Sequence, residues 1–240
     1  MHESTSSVRP HQKLTSEGRR MREVLSYSRR GSRFTPSEAE AWAARGIDWV
    51  VPDEAVDEPG FAWSSWFGRE APMIVEIGSG VGEATAALAA TRPAYDVVAL
   101  EVWRPGVAST LGRLDEVGAT NVRLCAVDAV WSMAHLFEPR SLQEVWTFFP
   151  DPWPKTKHHK RRIVTPAFAA SVASRLVPGG TWRLATDWAE YAVVMQGVLD
   201  AEPGLRGGVV ERWAERPVTK FERKGLEVGR APTDLAYVVR

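Results

Sequence analysis

Cysteine is nearly missing from this chain: Cys125 stands alone among 240 residues. One thiol closes no internal disulfide and builds no cysteine-rich zinc site, so a disulfide-stapled secreted module is excluded and a reducing compartment, the cytoplasm, is expected. Long apolar runs are missing too. No stretch approaches the roughly 18–20 uninterrupted apolar residues of a bilayer span, and the opening MHESTSSVRP lacks a charged-then-apolar leader. No membrane partner is expected. Net charge is also absent, with 30 Lys and Arg against 30 Asp and Glu. That balance conceals a segregation: residues 1–33 carry a net +5, residues 34–150 a net −10 and residues 151–240 a net +5. An acidic middle between basic ends points weakly to a polyanionic partner approached by both ends.

What is present suffices for a core. The chain is 44% hydrophobic and 25% charged at 26.6 kDa, and at this size folding buries roughly 70–75% of the unfolded surface without staples or a structural metal. Residues 1–33 are rich in Ser, Arg and Gly and read as a basic, partly disordered tail, leaving 34–240 as one domain. Thr35, Pro36 and Glu38 mark a helix start, as N-cap, first-turn proline and capping-box acid. From Met73 strands and helices alternate, which predicts a parallel sheet covered by helices. Strands are expected at 73–77, 96–100, 122–127, 144–149, 182–185 and 235–239. The intervening helices span 82–91, 105–117, 165–177 and 188–199, the third capped by Thr165 and stopped by Pro178-Gly179-Gly180.

Val75-Glu76-Ile77-Gly78-Ser79-Gly80-Val81-Gly82 places a glycine-rich turn between a buried strand and a helix, where a ligand can lie close to main-chain N–H groups. A dinucleotide-binding turn is the competitor, but Glu83 occupies the position of its last glycine. Glu101 directly follows the second strand, where an acid can accept both hydroxyls of a ribose. Asp128 follows the third, within reach of an adenine edge. Glu76 lies inside an apolar strand and needs a cationic or hydrogen-bonding partner, which the sulfonium and amino groups of S-adenosylmethionine would supply.

After the fourth strand comes Phe149-Pro150-Asp151-Pro152-Trp153-Pro154 and then Lys155-Thr156-Lys157-His158-His159-Lys160-Arg161-Arg162. The prolines stiffen a loop that can hold Asp151 beside a cofactor. Trp153 is either a stacking face for an exposed base or a core residue. The basic run beside a reactive carboxylate suits phosphate contact. Adjacent histidines point apart in most conformations, so no metal is expected.

Glu76-Ile77-Gly78-Ser79-Gly80, Glu101, the Asp151-Pro152-Trp153-Pro154-Lys155 loop, Ala185-Thr186-Asp187-Trp188 and Thr219-Lys220-Phe221-Glu222 together closely resemble the bacterial tRNA (guanine(46)-N7)-methyltransferases over roughly residues 27–240. The resemblance implies an α/β, class I methyltransferase (Rossmann-like) fold: a seven-stranded, mostly parallel sheet with helices on both faces. It implies S-adenosylmethionine as donor and the variable-loop guanosine of tRNA as acceptor, in a monomer or homodimer without an obligatory protein partner. Carried over, Glu76, Gly78, Gly80, Glu101, Asp128 and Asp151 bind cofactor, with Asp151 also catalytic. Lys155, Asp187, Thr219, Lys220, Phe221 and Glu222 bind the acceptor. Lys157, His158, His159, Lys160, Arg161 and Arg162 touch RNA. Trp103 stands where many relatives carry His, and Leu205–Arg216 matches only loosely. A small-molecule methyltransferase and a non-catalytic RNA-binding protein of the same fold are the alternatives.

Overall fold

The computed structural model describes residues 26, 27, 31, 33–58 and 60–240, so most of the basic tail lies outside the described residues. The first helix, α1 (Pro36–Trp49), starts where its cap signals put it. The Thr35 N–H donates to Glu38 Oε2 at 2.7 Å, and the Glu38 N–H donates back to Thr35 Oγ1 at 3.3 Å. A two-residue strand β1 (Val50–Val51) and the short α2 (Trp63–Phe67) follow.

The alternating part then runs β2 (Met73–Ile77), α3 (Glu83–Ala90), β3 (Asp96–Leu100), α4 (Arg104–Val117), β4 (Val122–Cys125), α5 (Ala129–His135), β5 (Leu142–Phe148), α6 (Pro166–Arg175), β6 (Leu176–Thr186) and α7 (Ala189–Asp200). It closes with β7 (Leu205–Val210), α8 (Lys220–Glu227) and β8 (Thr233–Val239). The sheet order is β1-β4-β3-β2-β5-β6-β8-β7. The β6–β8 and β7–β8 pairs are antiparallel and the others parallel.

Among the described residues the sheet has eight strands in place of the expected seven. The loosely matching segment after residue 204 forms the edge strand β7, and the two residues of β1 pair with Leu124 and Cys125. The strand expected to reach Val127 ends at Cys125, because Asp128 turns the chain into α5, which no apolar periodicity announced. Helix α6 ends at Arg175, before Pro178-Gly179-Gly180, and the strand that follows absorbs all three residues. Their place beside β5 is a tertiary fact: Gly180 lies so close to the Leu142 and Gln143 carbonyls that a Cβ there would approach both within 3.2 Å.

Alternation along the strands divides the core. Val75, Ile77, Val98, Leu100 and Val145 pack with Met133, Phe168, Val172, Tyr191 and Met195 on one face. Ile74, Val97, Ala99, Leu124 and Trp146 meet Leu88, Val107, Leu111 and Leu114 on the other. Both faces of a parallel sheet are thus covered. Since side chains alternate with a period of two, Glu76 shares the face of Ile74 and points toward α3.

Candidate active site

The carboxyl ends of β2, β3, β4, β5 and β6 converge on one cavity of about 390 Å³. Its place is that of ligand sites in open α/β sheets, where strand order reverses, here between the neighbours of β2. Each strand contributes an acid within or just beyond its end: Glu76, Glu101, Asp128, Asp151 and Asp187 all line it. Parallel strands that end at one level turn a sequence repeat, strand then acid, into a spatial cluster.

Glu76 is the most deeply placed, 2% exposed. Thr85 of α3 donates its hydroxyl to Glu76 Oε2 at 2.5 Å. Burial pushes the Glu76 pKa up to about 7; the Thr85 hydroxyl opposes that shift and the Glu101 charge adds to it. Beside it, Ser79 Oγ is buried with no hydrogen-bond partner.

The glycine-rich turn works differently from the expectation. The N–H groups of Gly78 and Ser79 donate to Leu100 O, that of Gly80 to Glu101 Oε2 at 2.8 Å and that of Gly82 to Ser79 O. These bonds brace the turn against β3, while Gly78, Ser79, Gly80 and Val81 line the cavity. Gly78 and Gly80 have φ of 74° and 60°, and Gly106 passes so close that a Cβ there would lie 2.3 Å from Gly80 O. The glycines let α4 and the turn pack under the cavity floor.

Glu101 accepts a second main-chain bond, from Trp103 N at 2.8 Å, so each of its oxygens is oriented. Trp103 lines the cavity and donates its indole N–H to Gly31 O at 2.7 Å. Asp128 caps α5, accepting from Val130 N and Trp131 N through Oδ1 alone. Asp151 is half-buried between Phe149 and Trp153, whose φ values of 51° and 44° are left-handed for non-glycine residues. Two such residues around one carboxylate mark a loop held in place by its surroundings.

One face of Trp153 is covered. Arg161 lies over its ring, 3.6 Å from the centroid, its indole N–H donates to Ser26 O at 3.1 Å, and it stands outside the cavity lining. The basic run forms a 3-10 helix over Thr156–Arg161 and divides in function. Arg162 is buried, donating to both oxygens of Glu190 and to Pro152 O. Arg161 donates to Tyr27 O. Lys155, Lys157 and Lys160 are exposed, whereas His158 and His159 are half-buried. His158 has its pKa lowered by partial desolvation and then by Lys157, Arg161, Lys155 and Lys160. His159 Nε2 is buried without a partner.

Asp187 pairs with Arg230 at 2.7 Å. Thr219 caps α8 and lines the cavity with Phe221. Lys220 uses its main-chain N–H on Glu83, and neither its side chain nor that of Lys155 lines the cavity. Glu222 is placed elsewhere altogether. It is 2% exposed and paired with Arg216 at 2.6 Å and Arg212 at 3.0 Å, while Arg216 reaches Asp234 on β8 at 2.7 Å. Burial pushes the Glu222 carboxyl upward, but the two guanidinium groups outweigh it and hold it below the ordinary carboxylate range. Arg216, Arg230 and Lys224 escaped sequence reasoning: Arg230 meets Asp187 and Arg216 meets Asp234 only through the fold, and Lys224 on α8 reaches the cavity only through tertiary packing.

Residues 70–235 match a family model described as "Putative methyltransferase". A protein of Nocardioides sp. named tRNA (guanine-N(7)-)-methyltransferase is 71% identical over 96% of this chain and 93% of its own length. The chain belongs to this family. A second relative of the same name, from Cutibacterium acnes, is 44% identical over 90% of the methyltransferase and 83% of the relative. Among solved structures, the 16S rRNA methyltransferase KamB superposes with a TM-score of 0.54 at 15% identity, covering 75% of this chain and 95% of KamB, a likeness of fold alone. The class I methyltransferase fold expected from the sequence is therefore present, with one more strand than expected. No helix among the described residues is long and apolar enough to cross a membrane.

Proposed function

We propose that this methyltransferase transfers the methyl group of S-adenosylmethionine to N7 of the variable-loop guanosine of tRNA, in the cytoplasm. One observation carries the reading: a single cavity is lined both by the strand-end acids Glu76, Glu101 and Asp128 and by the acceptor-side residues Asp151, Asp187, Thr219 and Phe221. The chain's own groups fit the cofactor. A buried carboxyl with a raised pKa suits the amino group, an unpartnered buried Ser79 hydroxyl has a hydrogen bond to give, and Glu101 is already oriented for ribose hydroxyls.

When bound, S-adenosylmethionine supplies an electrophilic methyl group on a sulfonium. Guanine N7 carries an in-plane lone pair and no proton, so the protein's work is alignment and exclusion of water, without a required general base. Methylation places positive charge on the purine, and Asp151, held rigidly at the cavity, stabilises it as it develops. Asp187, oriented by Arg230, is set to accept from the donor edge of guanine, which adenine lacks. The exposed Lys155, Lys157 and Lys160 suit tRNA phosphates.

Incubation with methyl-labelled S-adenosylmethionine and unmodified tRNA, then nuclease digestion, should recover the label in 7-methylguanosine. Label in another nucleoside, or none in RNA, overturns the reading.

Glu76 gives a pH dependence. Its pKa is raised on folding from 4.5 to about 7, so the protonated form is favoured in the free protein and its contribution to stability is lost as pH rises from about 4.5 through 7. Cofactor binding draws on the carboxylate. Affinity should therefore fall as pH drops from 8 to 6, approaching about tenfold per pH unit below the pKa. Calorimetry in two buffers of different ionisation enthalpy should register a proton released on binding near pH 6. A flat profile that Glu76→Gln leaves unchanged removes Glu76 from the amino-group site.

A further inference from the structure

Resting on the tRNA reading, we infer that Lys224 and Arg230 form a phosphate-binding edge of the cavity that receives the phosphodiester beside the target guanosine. Among the described residues lining the cavity these two are the only Lys or Arg, against Glu76, Glu83, Glu101, Asp128, Asp151 and Asp187. A base entering this cavity leaves its charged sugar-phosphate at the mouth, close to carboxylates that repel it. Some cation must be there. The basic run does not supply it, for Arg162 is consumed by Glu190, Arg161 by Trp153 and Tyr27, and none of its lysines lines the cavity.

The packing of α8 brings both cations to the cavity that Asp187 lines. Gly225 is placed so that a Cβ would lie 2.6 Å from Asp187 Oδ2, which brings the helix backbone against that carboxylate, and Lys224, next in sequence, lines the same cavity. The chain then turns back, with Arg230 N–H donating to Gly225 O at 2.9 Å. Arg230 donates to Asp187 Oδ2 through Nε at 2.7 Å and lies over Trp188, 5.9 Å from the ring centroid, which fixes the guanidinium while its terminal nitrogens make no hydrogen bond to a described residue. Lys224 is exposed, and its ammonium makes no hydrogen bond or ion pair with a described residue. A fixed guanidinium next to a free ammonium at a cavity mouth is suited to one phosphate oxyanion. Such an edge favours a guanosine within a polynucleotide over free guanine or guanosine.

Lys224 is the cleaner probe, because altering Arg230 also releases Asp187. In the full-length protein, Lys224→Ala should weaken tRNA binding about 5- to 20-fold, as loss of one charge-assisted contact does. It should reduce the slope of log affinity against log salt by roughly 0.7–0.9. Lys224→Arg should restore most of both, and S-adenosylmethionine affinity by calorimetry should stay at the wild-type value. The location of the phosphate is read with tRNA carrying one neutral methylphosphonate linkage, placed 5′ or 3′ to the target guanosine. Wild type should lose affinity for one of these substrates, and Lys224→Ala should lose little more. A Lys157→Ala, Lys160→Ala double variant should instead show losses that add to that of the neutral linkage. An unchanged salt slope for Lys224→Ala, or full additivity with both neutral linkages, overturns the inference while wild-type methylation of tRNA leaves the functional reading standing. Failure of wild type to methylate tRNA overturns both.

Discussion

Asp151→Ala is expected to lower the single-turnover rate of methyl transfer by roughly 10²–10³-fold, the loss typical of one preorganised electrostatic group, without loss of fold. The carboxylate is half-buried on a loop that leaves β5, so the two sheet faces keep their packing. The loop is held from elsewhere: Phe149 N–H donates to Ala185 O at 2.7 Å, and Arg162 binds Pro152 O at 2.9 Å while pairing with Glu190. The surrounding positions thus survive removal of the side chain. Circular dichroism and thermal melting should match wild type, and the rate at saturating tRNA and cofactor should carry nearly the whole effect. A folded Asp151→Ala protein that turns over near the wild-type rate ends the catalytic assignment.

Arg216→Ala should destabilise the protein by about 3–5 kcal/mol, as breaking one side of a buried charge network does. For a chain of this size that lowers the melting temperature by roughly 6–20 °C. Arg216 is 1% exposed and joins Glu222 at the start of α8 to Asp234 on β8. Without it both buried carboxylates lose their principal cation, and Arg212 reaches Glu222 alone by ion pair. The pH dependence follows from Glu222, whose carboxyl is held below the ordinary range. Its stabilisation is present above the unfolded value and is lost as pH falls through the folded one. Acid should therefore narrow the gap between wild type and variant. Thr219 and Phe221 ride on the same turn, so the rate should fall with the stability. A melting temperature within about 2 °C of wild type, well inside the expected shift, would show that the network is dispensable.

The same network reassigns part of the acceptor motif. Thr219-Lys220-Phe221-Glu222 was expected as one binding set, yet only Thr219 and Phe221 line the cavity. Glu222 anchors the motif from beneath and Lys220 ties its main chain to Glu83. Thr219 stands outside α8 as its N-cap, and within the first turn Phe221 and Glu222 point to different sides.

By itself, the sequence determined the sheet and its acids. Strand-length apolar runs with intervening capped helices imply a parallel sheet, and parallel strands bring the residues after their ends together, so Glu76, Glu101 and Asp128 are legible as acids of successive strands; Asp187 enters only through the family motif. The cap at Thr35 and the start of α6 at Thr165 were equally local and equally readable. Tertiary structure alone decided how charges were spent. Within one basic run it buried Arg162 against Glu190 and laid Arg161 on Trp153, leaving only the lysines exposed. It placed Lys224 and Arg230 at the cavity and made Glu222 an anchor. It added β7 at the sheet edge, where Gly207 and Gly208 dilute any strand pattern and pairing with β8 supplies the order. The physical reason is common to all of these. An apolar pattern reports burial through a local period, whereas a charge is silent about its partner, because Coulomb attraction acts through space between residues such as Arg216 and Asp234 that only folding brings within 2.7 Å.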